Sequence, residues 1–165
     1  EGSLFARNIY NEIMNDSSYK PQNLGHSVYF GTEQAITVEL NEMFALSASY
    51  LYNKSFDLSN GKTLSDNEEV NYVRNHTAKA SASFTYKNLD AVLSGEYQGK
   101  YRVKGSFATI NYDPAFVLNL SVNAQVTEEF KVYVAIDNLL NASYELQNGY
   151  PMPGTKIRLG GKLKF

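Results

Sequence analysis

The chain has 165 residues, a length that suits one domain. It carries no cysteine, which excludes a disulfide framework and a thiolate metal site. The formal net charge of −2 supplies no basic face for nucleic acid, so no nucleic-acid partner is expected. Thirteen tyrosines and nine phenylalanines beside only four prolines favour strands over disorder. The sequence opens on Glu1 without an apolar leader, so we expect a mature form or a piece of a longer protein.

Apolar and polar side chains alternate along nearly the whole chain, which predicts strands, since strand side chains point to opposite faces. The alternation defines eight segments: 3–14, 27–40, 43–54, 76–87, 90–104, 115–127, 130–140 and 156–165. In 115–127 every even position from Phe116 to Val126 is apolar, and the odd positions from Asn119 to Thr127 are polar. Several segments approach the roughly 9–11 residues that a tilted strand needs to cross a bilayer.

The predicted connections alternate in length. Short turns fall at 41–42, 87–89 and 128–129, and long loops fall at about 15–26, 55–75, 105–114 and 141–155. Short turns on one side and long loops on the other are typical of outer-membrane barrels. We therefore predict an all-β, antiparallel transmembrane β-barrel of about eight strands, with both chain ends on the periplasmic side.

Tyrosines cluster near the ends of the predicted strands. The set comprises Tyr50, Tyr52, Tyr86, Tyr97 and Tyr101. Amphipathic rings favour the level of lipid headgroups, so the set predicts an interface girdle. The alternative is that tyrosine is simply a good strand former.

The chain closes on an alternating strand with a terminal aromatic residue. Arg158, Gly160, Leu163 and Phe165 resemble the C-terminal signal that outer-membrane barrels present to their assembly machinery. An unpaired last strand is an open edge with which an assembly template can pair.

The stretch before it, 136–154, resembles the C-terminal region of TonB-dependent outer-membrane receptors. The matching positions are Asn138, Leu139, Asn141, Tyr144, Gly149, Tyr150, Pro151, Pro153 and Gly154. In that family an "xNLxNxxY" strand end leads through the last extracellular loop to a "GYPxPGR" element. Thr155 replaces the usual Arg. Looser matches to segments at which strands of that family begin occur at Asn23 and at Arg74. The resemblance therefore covers nearly the whole chain.

The resemblance implies the last eight strands of a 22-stranded barrel in the bacterial outer membrane. The family imports ferric siderophores, haem or cobalamin, driven by TonB. Implied partners are outer-membrane lipid, the barrel assembly machinery and a metal chelate or cobalamin as cargo. TonB would act through an N-terminal part that carries the plug and the TonB box, which we expect to be absent from residues 1–165. No cofactor and no enzymatic activity are implied.

Two alternatives stay open. Eight strands also suffice for a small self-closed barrel with a structural or anchoring role. Its narrow interior would have to accommodate the inward charges Glu96, Lys100, Arg102, Arg158, Lys162 and Lys164. A lipid-modifying barrel enzyme would use His76 with Ser81 or Ser83, but strand parity places these serines opposite His76.

Three further features of the sequence support weaker predictions. His26 and His76 are the only histidines and lack metal-ligand spacing. The cluster Asp66, Glu68 and Glu69 could bind calcium or a basic ligand, although a solvated loop is the simpler interpretation. In the last loop, Tyr150 and Met152 are candidate cargo contacts.

Overall fold

The computed structural model describes residues 1–15, 20–105 and 107–164. The strands in order are β1 (Gly2–Asn15), β2 (Pro21–Glu39), β3 (Phe44–Asp57), β4 (His76–Tyr86), β5 (Leu89–Gln98), β6 (Tyr101–Lys104), β7 (Thr109–Tyr112), β8 (Ala115–Gln125), β9 (Phe130–Asp137), β10 (Glu145–Gln147), β11 (Tyr150–Pro151) and β12 (Lys156–Leu163). Two single 3₁₀ turns, Ser59–Gly61 and Leu64–Asp66, lie between β3 and β4. In the described part of the chain no helix has the length and apolar character to cross a membrane.

Eight strands form one sheet in the hydrogen-bonded order β1-β2-β3-β4-β5-β8-β9-β12. The pairs β1–β2, β5–β8, β8–β9 and β9–β12 are antiparallel. These findings confirm the predicted all-β antiparallel class and the number of long strands. Within the described residues, the hydrogen-bonded order begins at β1 and ends at β12, so the sheet does not pair these two strands with each other.

The chain divides into two compact units. The first comprises Glu1–Gln34, Leu51–Thr77 and Gly99–Pro114, and it holds the β6–β7 hairpin together with the loop that follows β3. The second comprises Ala35–Tyr50, Ala78–Gln98 and Ala115–Phe165, and it holds the paired strands β5, β8, β9 and β12.

The predicted strand 90–104 is two strands in the structure, β5 and β6, because the extended conformation is interrupted between Gln98 and Tyr101. The Gly99 N–H donates to the His76 carbonyl at 2.8 Å, and a Cβ at Gly99 would lie 2.6 Å from that oxygen. A side chain there would collide with backbone, so the break depends on glycine.

Other boundaries also differ from the predictions. β2 begins at Pro21, so most of the predicted 15–26 loop is strand. β9 ends at Asp137 because Asn138 takes a left-handed conformation with φ 51°, which cannot continue a strand. The predicted loops 105–114 and 141–155 contain the small hairpins β6–β7 and β10–β11.

Candidate functional site

Apolar side chains line up across β5, β8, β9 and β12 on one face of the sheet. The register pairs Leu93 with Leu120, Leu120 with Ile136, and Ile136 with Ile157. A neighbouring row contains Ala91, Val122, Val134 and Leu159. Ile157 is 63% exposed and Leu159 is 73% exposed. A broad, exposed and uncharged surface of this kind suits hydrocarbon rather than water.

The opposite face of the second unit is polar and carries a cavity of about 430 Å³. Its polar lining consists of Thr37, Ser47, Ser49, Lys79, Ser81, Ser94, Glu96 and Asn119. The Lys79 ammonium lies 3.9 Å from the Glu96 carboxylate, which gives this inward charge a partner. Five of these eight side chains are short and carry a hydroxyl group, so they make the cavity wall polar and occupy little of its volume.

The predicted assembly signal lies on β12 opposite β9. Gly160 pairs with Tyr133, whose ring covers it so closely that a Cβ at Gly160 would lie 2.4 Å from ring carbon Cε1. Arg158 Nη2 donates to Asp137 Oδ1 at 2.9 Å. Leu163 pairs with Phe130 and is 53% exposed. Phe165, the last residue of the predicted signal, lies outside the described residues.

Asn138, the first residue of the resemblance motif, is the centre of the last long loop. It is 4% exposed. Its side-chain Nδ2 donates to the carbonyls of Ala142 at 2.9 Å and Pro153 at 3.1 Å, and its Oδ1 accepts from Ala142 N–H at 2.8 Å. Its backbone N–H donates to Asn119 Oδ1 at 2.9 Å. The buried side-chain amide of Asn138 therefore joins both ends of the loop, and the backbone N–H of the same residue ties the loop to β8.

Asn141 completes the same loop. It also has a positive φ, 52°, and its N–H donates to the Asn138 carbonyl at 2.9 Å. Asn141 Oδ1 accepts from the Thr155 N–H at 3.1 Å, and the Thr155 hydroxyl donates to the Asn138 carbonyl at 2.8 Å. A Cβ at Gly154 would lie 2.4 Å from Asn141 Oδ1. Thr155, which stands where the family usually has Arg, thus has a structural role.

The tip of this loop is the β10–β11 hairpin. Glu145 Oε2 accepts from the Gly149 N–H at 2.9 Å, and Gly149 takes φ 78° to make the turn. Met152 N–H donates to the Tyr144 carbonyl at 2.9 Å. Tyr150 is 67% exposed and Met152 is half-buried, so the predicted cargo contacts present different fractions of their surfaces.

The tyrosine set does not behave as one group. Tyr50, Tyr86 and Tyr97 are exposed, whereas Tyr52 is half-buried with its ring centroid 5.2 Å from that of His76. Tyr101 is 4% exposed. It stacks on Tyr112 at 4.5 Å and lies under the Arg74 guanidinium at 4.2 Å, so its ring is not available to lipid. Its burial sets Tyr101 apart from the other tyrosines of the predicted girdle.

The acidic cluster after β3 is neutralised by cations. Glu68 pairs with Lys62 at 3.2 Å and with Lys104, and Glu69 pairs with Lys54 and with Arg102 at 3.7 Å. Asp66 accepts from the Thr63 N–H at 2.7 Å within its own turn. In residues 1–15, 20–105 and 107–164 no three metal-ligating side chains meet, so a calcium site receives no support there.

These ion pairs shift the titration of the loop. Hydrogen bonds from Lys104 and then Lys62 hold the pKa of Glu68 below its usual value. Burial opposes ionisation of Glu69, but hydrogen bonds from Lys54 and Asn75 outweigh it and lower the pKa of Glu69 as well. The carboxylates are therefore bound in their ionised form.

Neither histidine has the surroundings of a metal or catalytic group. His26 Nε2 lies 2.7 Å from Asn8 Oδ1, and its ring stacks on Tyr10 at 4.4 Å. For the enzyme alternative, Ser81 Oγ lies 2.7 Å from Ser47 Oγ, and the Ser83 hydroxyl donates to the Ala45 carbonyl. Both hydroxyls thus bond to β3, an arrangement typical of strand packing.

Sequence reasoning did not identify Lys54, Lys62 and Lys104 as partners of the acidic cluster, or Asn119 as a partner of Asn138. The cations lie up to 36 positions from their carboxylates. The sequence shows only the sign of each charge. The sign does not specify which lysine pairs with which carboxylate across so many residues.

The sequence matches a family model described as "TonB dependent receptor-like, beta-barrel" over residues 1–139. The vitamin B12 transporter BtuB of Vibrio cholerae serotype O1 is 33% identical over 103 residues, which cover 59% of this chain and 16% of that protein. The chain thus spans a small part of the curated relatives that it matches.

Solved structures share the fold. The ferric-catecholate import receptor Fiu of Escherichia coli K12 superposes with a TM-score of 0.76 at 16% identity, over 99% of this chain and 25% of that one. The FrpB iron transporter of Neisseria meningitidis superposes with a TM-score of 0.74 at 22% identity, over 99% of this chain and 28% of that one. These relatives are named as transporters and receptors. Since the family model covers most of its length, the chain belongs to the TonB-dependent receptor β-barrel family.

Proposed function

We propose that residues 1–165 form one C-terminal β-barrel segment of an outer-membrane receptor that imports a scarce nutrient under the control of TonB. The observation that carries this proposal is the family match over residues 1–139 on an eight-stranded antiparallel sheet. The plug and the TonB-binding segment would lie elsewhere in the protein.

The two faces of the sheet fit such a wall. The exposed apolar rows ending at Ile157 and Leu159 would face lipid, with Tyr50, Tyr86 and Tyr97 near the interfaces and Tyr52 beside them. The polar face with its hydroxyl-lined cavity would face the interior. Arg158, Gly160, Leu163 and Phe165 would present the strand edge to the assembly machinery.

The proposed cargo is a small metal chelate or cobalamin. One relative is a vitamin B12 transporter, and a structure with the same fold is a ferric-catecholate receptor. Tyr150 and Met152, on the loop held by Asn138, are the residues of this chain that we propose for cargo contact. We propose no catalytic role.

Uptake by the full-length protein tests the function. Cells lacking their own receptors, but with an intact TonB system, would express it and receive labelled cobalamin or a labelled ferric catecholate. We expect accumulation of one cargo that stops on loss of TonB or of the proton gradient. Binding and accumulation that persist without TonB would contradict the proposal, and so would recovery of the protein outside the outer-membrane fraction.

The self-closed barrel is the competing structure. The chain has no native cysteine, so Leu4→Cys on β1 and Leu159→Cys on β12 make a clean cross-linking pair. In a 22-stranded wall these edges meet other strands and the disulfide should not form within this segment. Efficient formation in the membrane would support self-closure. The pair Ala91→Cys and Val122→Cys, on the adjacent strands β5 and β8, provides the positive control.

A further inference from the structure

Two adjacent carboxylates join the loop of residues 58–75 to the strands on both sides of it. Glu68 binds Lys62 of the loop and Lys104 of β6. Glu69 binds Lys54 of β3 and lies 3.7 Å from the Arg102 guanidinium of β6. The loop is therefore cross-linked by charge to β3 and to the β6–β7 hairpin.

Backbone bonds connect the loop with the same strands. The Tyr72 N–H donates to the Arg102 carbonyl at 3.1 Å. Asn71 Oδ1 accepts from the Lys104 N–H at 2.9 Å, and Asn71 Nδ2 donates to the Lys104 carbonyl at 3.3 Å. The Asp57 N–H donates to the Glu68 carbonyl at 2.8 Å. These contacts place the loop in one defined position against the hairpin.

Val70 and Tyr72 of the loop add apolar contacts to this docking. Val70 is 5% exposed, and its N–H donates to the fully buried Ser55 hydroxyl at 3.2 Å. The ring centroid of Tyr72 lies 6.0 Å from that of the buried Tyr101. Three links between the loop and the strands are ion pairs of Glu68 and Glu69 with Lys54, Arg102 and Lys104, so part of the docking strength depends on the charge of these two carboxylates.

The charges around the pair are nearly balanced. Cations face it from β3 (Lys54), from the loop (Lys62) and from β6 (Arg102 and Lys104), and Asp57 also binds Lys62. If Glu68 and Glu69 became neutral, four cations would face two remaining carboxylates, Asp57 and Asp66, and would repel one another. Neutralisation thus removes the attraction and adds repulsion at the same place.

We propose that Glu68 and Glu69 form a charge-dependent latch that holds the 58–75 loop on the β6–β7 hairpin and releases it when their carboxylates are neutralised. Release would uncover the Tyr101–Tyr112 stack and free the loop from β6. The proposal concerns this chain alone and does not depend on which cargo the intact protein takes.

The direction of the pH response follows from the lowered pKa values of Glu68 and Glu69. A carboxylate with a lowered folded-state pKa contributes its stability above the unfolded value, about 4.3 for Glu, and loses it as the pH falls through the folded value. The latch should therefore hold at neutral pH and open only in acid, below the usual pKa of a Glu side chain.

A spin label on the loop tests the latch. Ser65→Cys places one cysteine at an exposed position of the Leu64–Asp66 turn, and this chain has no other. The label would be read in the full-length protein in outer membranes, with the protein lacking Ser65→Cys as the background control. At pH 7 we expect an immobilised spectrum, and a several-fold larger mobile component after acidification that reverses on return to pH 7.

The double variant Glu68→Gln, Glu69→Gln should give the mobile spectrum at pH 7. Asp66→Asn is the matched control, since Asp66 bonds to Thr63 within its own turn, and it should leave the spectrum immobilised. The charge swap Glu68→Lys, Lys104→Glu should retain immobilisation more than Glu68→Lys alone. An immobilised label in the double variant at pH 7 would overturn the proposal, and so would equal mobility in Asp66→Asn.

Discussion

Two long loops in the described part of the chain are held in different ways. Residues 58–75 are fixed by long charged side chains that pair across elements, with Glu68 and Glu69 at the centre. The two ends of residues 138–155 are joined by short neutral amides, with the buried Asn138 at the centre, and only the tip uses a carboxylate, that of Glu145. Both loops have a defined conformation, but its cause differs.

That difference determines what each loop responds to. Ion pairs weaken with salt and vanish when a carboxylate is protonated. Amide–backbone hydrogen bonds carry no net charge, so pH and salt leave them nearly unchanged. The first loop is therefore suited to change its position, and the second to keep it.

The largest effect is expected for Asn138→Ala. The substitution removes three side-chain hydrogen bonds of a buried amide and places alanine at φ 51°. At roughly 1 kcal/mol per bond plus about 1 kcal/mol of backbone strain, the free energy of opening of the 138–155 loop should fall by about 4 kcal/mol. Native-state hydrogen exchange at Ala142 and Thr155 measures it.

Two further variants serve as controls. Asn138→Asp keeps the acceptor for the Ala142 N–H but sets a buried carboxylate oxygen against the Ala142 and Pro153 carbonyls, so it should lose at least as much as Asn138→Ala at neutral pH. Gln147→Ala changes an exposed side chain of the same loop and should stay close to wild type. Equal losses in Asn138→Ala and Gln147→Ala would show that the amide does not organise the loop.

Gly154→Ala should have the second-largest effect. Its Cβ would lie 2.4 Å from Asn141 Oδ1, so the amide must move and lose its bond to the Thr155 N–H. We expect about 1.5 kcal/mol from the lost bond and the crowding together. Exchange at Thr155 should accelerate, whereas Gly61→Ala, which has open space but a positive φ, should leave Thr155 unaffected.

Glu69→Gln should weaken the charged loop moderately. The amide can still bond to Asn75 but loses its attraction to Lys54 and Arg102. The pairs are partly exposed, so we expect about 1 kcal/mol at pH 7, measured by exchange at the Tyr72 amide. Because the pKa of Glu69 is lowered, this difference between variant and wild type should persist to mildly acidic pH and disappear in strong acid. A pH-independent difference would indicate a packing effect instead.

The smallest effect is expected from salt. Raising the ionic strength to about 1 M shortens the screening length to roughly 3 Å, comparable to the ion-pair distances. The opening free energy of the 58–75 loop should fall by about 0.5 kcal/mol, whereas exchange in the 138–155 loop should hardly change. If salt changed the opening free energy of both loops equally, the two loops would not differ in their dependence on ion pairs.

Much of the fold could be predicted from local pattern. Alternation identified the eight long strands and their two faces, because the side-chain period of a strand is two residues wherever the strand lies. Alternation did not reveal the break at Gly99 or the end of β9 at Asn138. The first depends on the approach of the His76 carbonyl, and the second on bonds to Pro153, fifteen residues away.

The site residues divide in the same way. The motif around Asn138 was recognisable as a sequence resemblance, but its bonds to Ala142, Pro153 and Thr155 became visible only in the folded loop. The acidic cluster was recognisable as charge, but nothing near it in sequence indicated Lys104. In the sequence, Tyr101 has the same alternation phase as the other tyrosines of the predicted girdle. Only the structure shows that it is buried under Arg74 and beside Tyr112.

By itself, the sequence determined the strand class, the apolar and polar faces and the family, because each depends on residues close together along the chain. The tertiary structure decided which carboxylate meets which cation and which amide joins two loop ends. Those contacts are made between residues far apart in sequence, and their partners are selected by the register of the strands that bring them together.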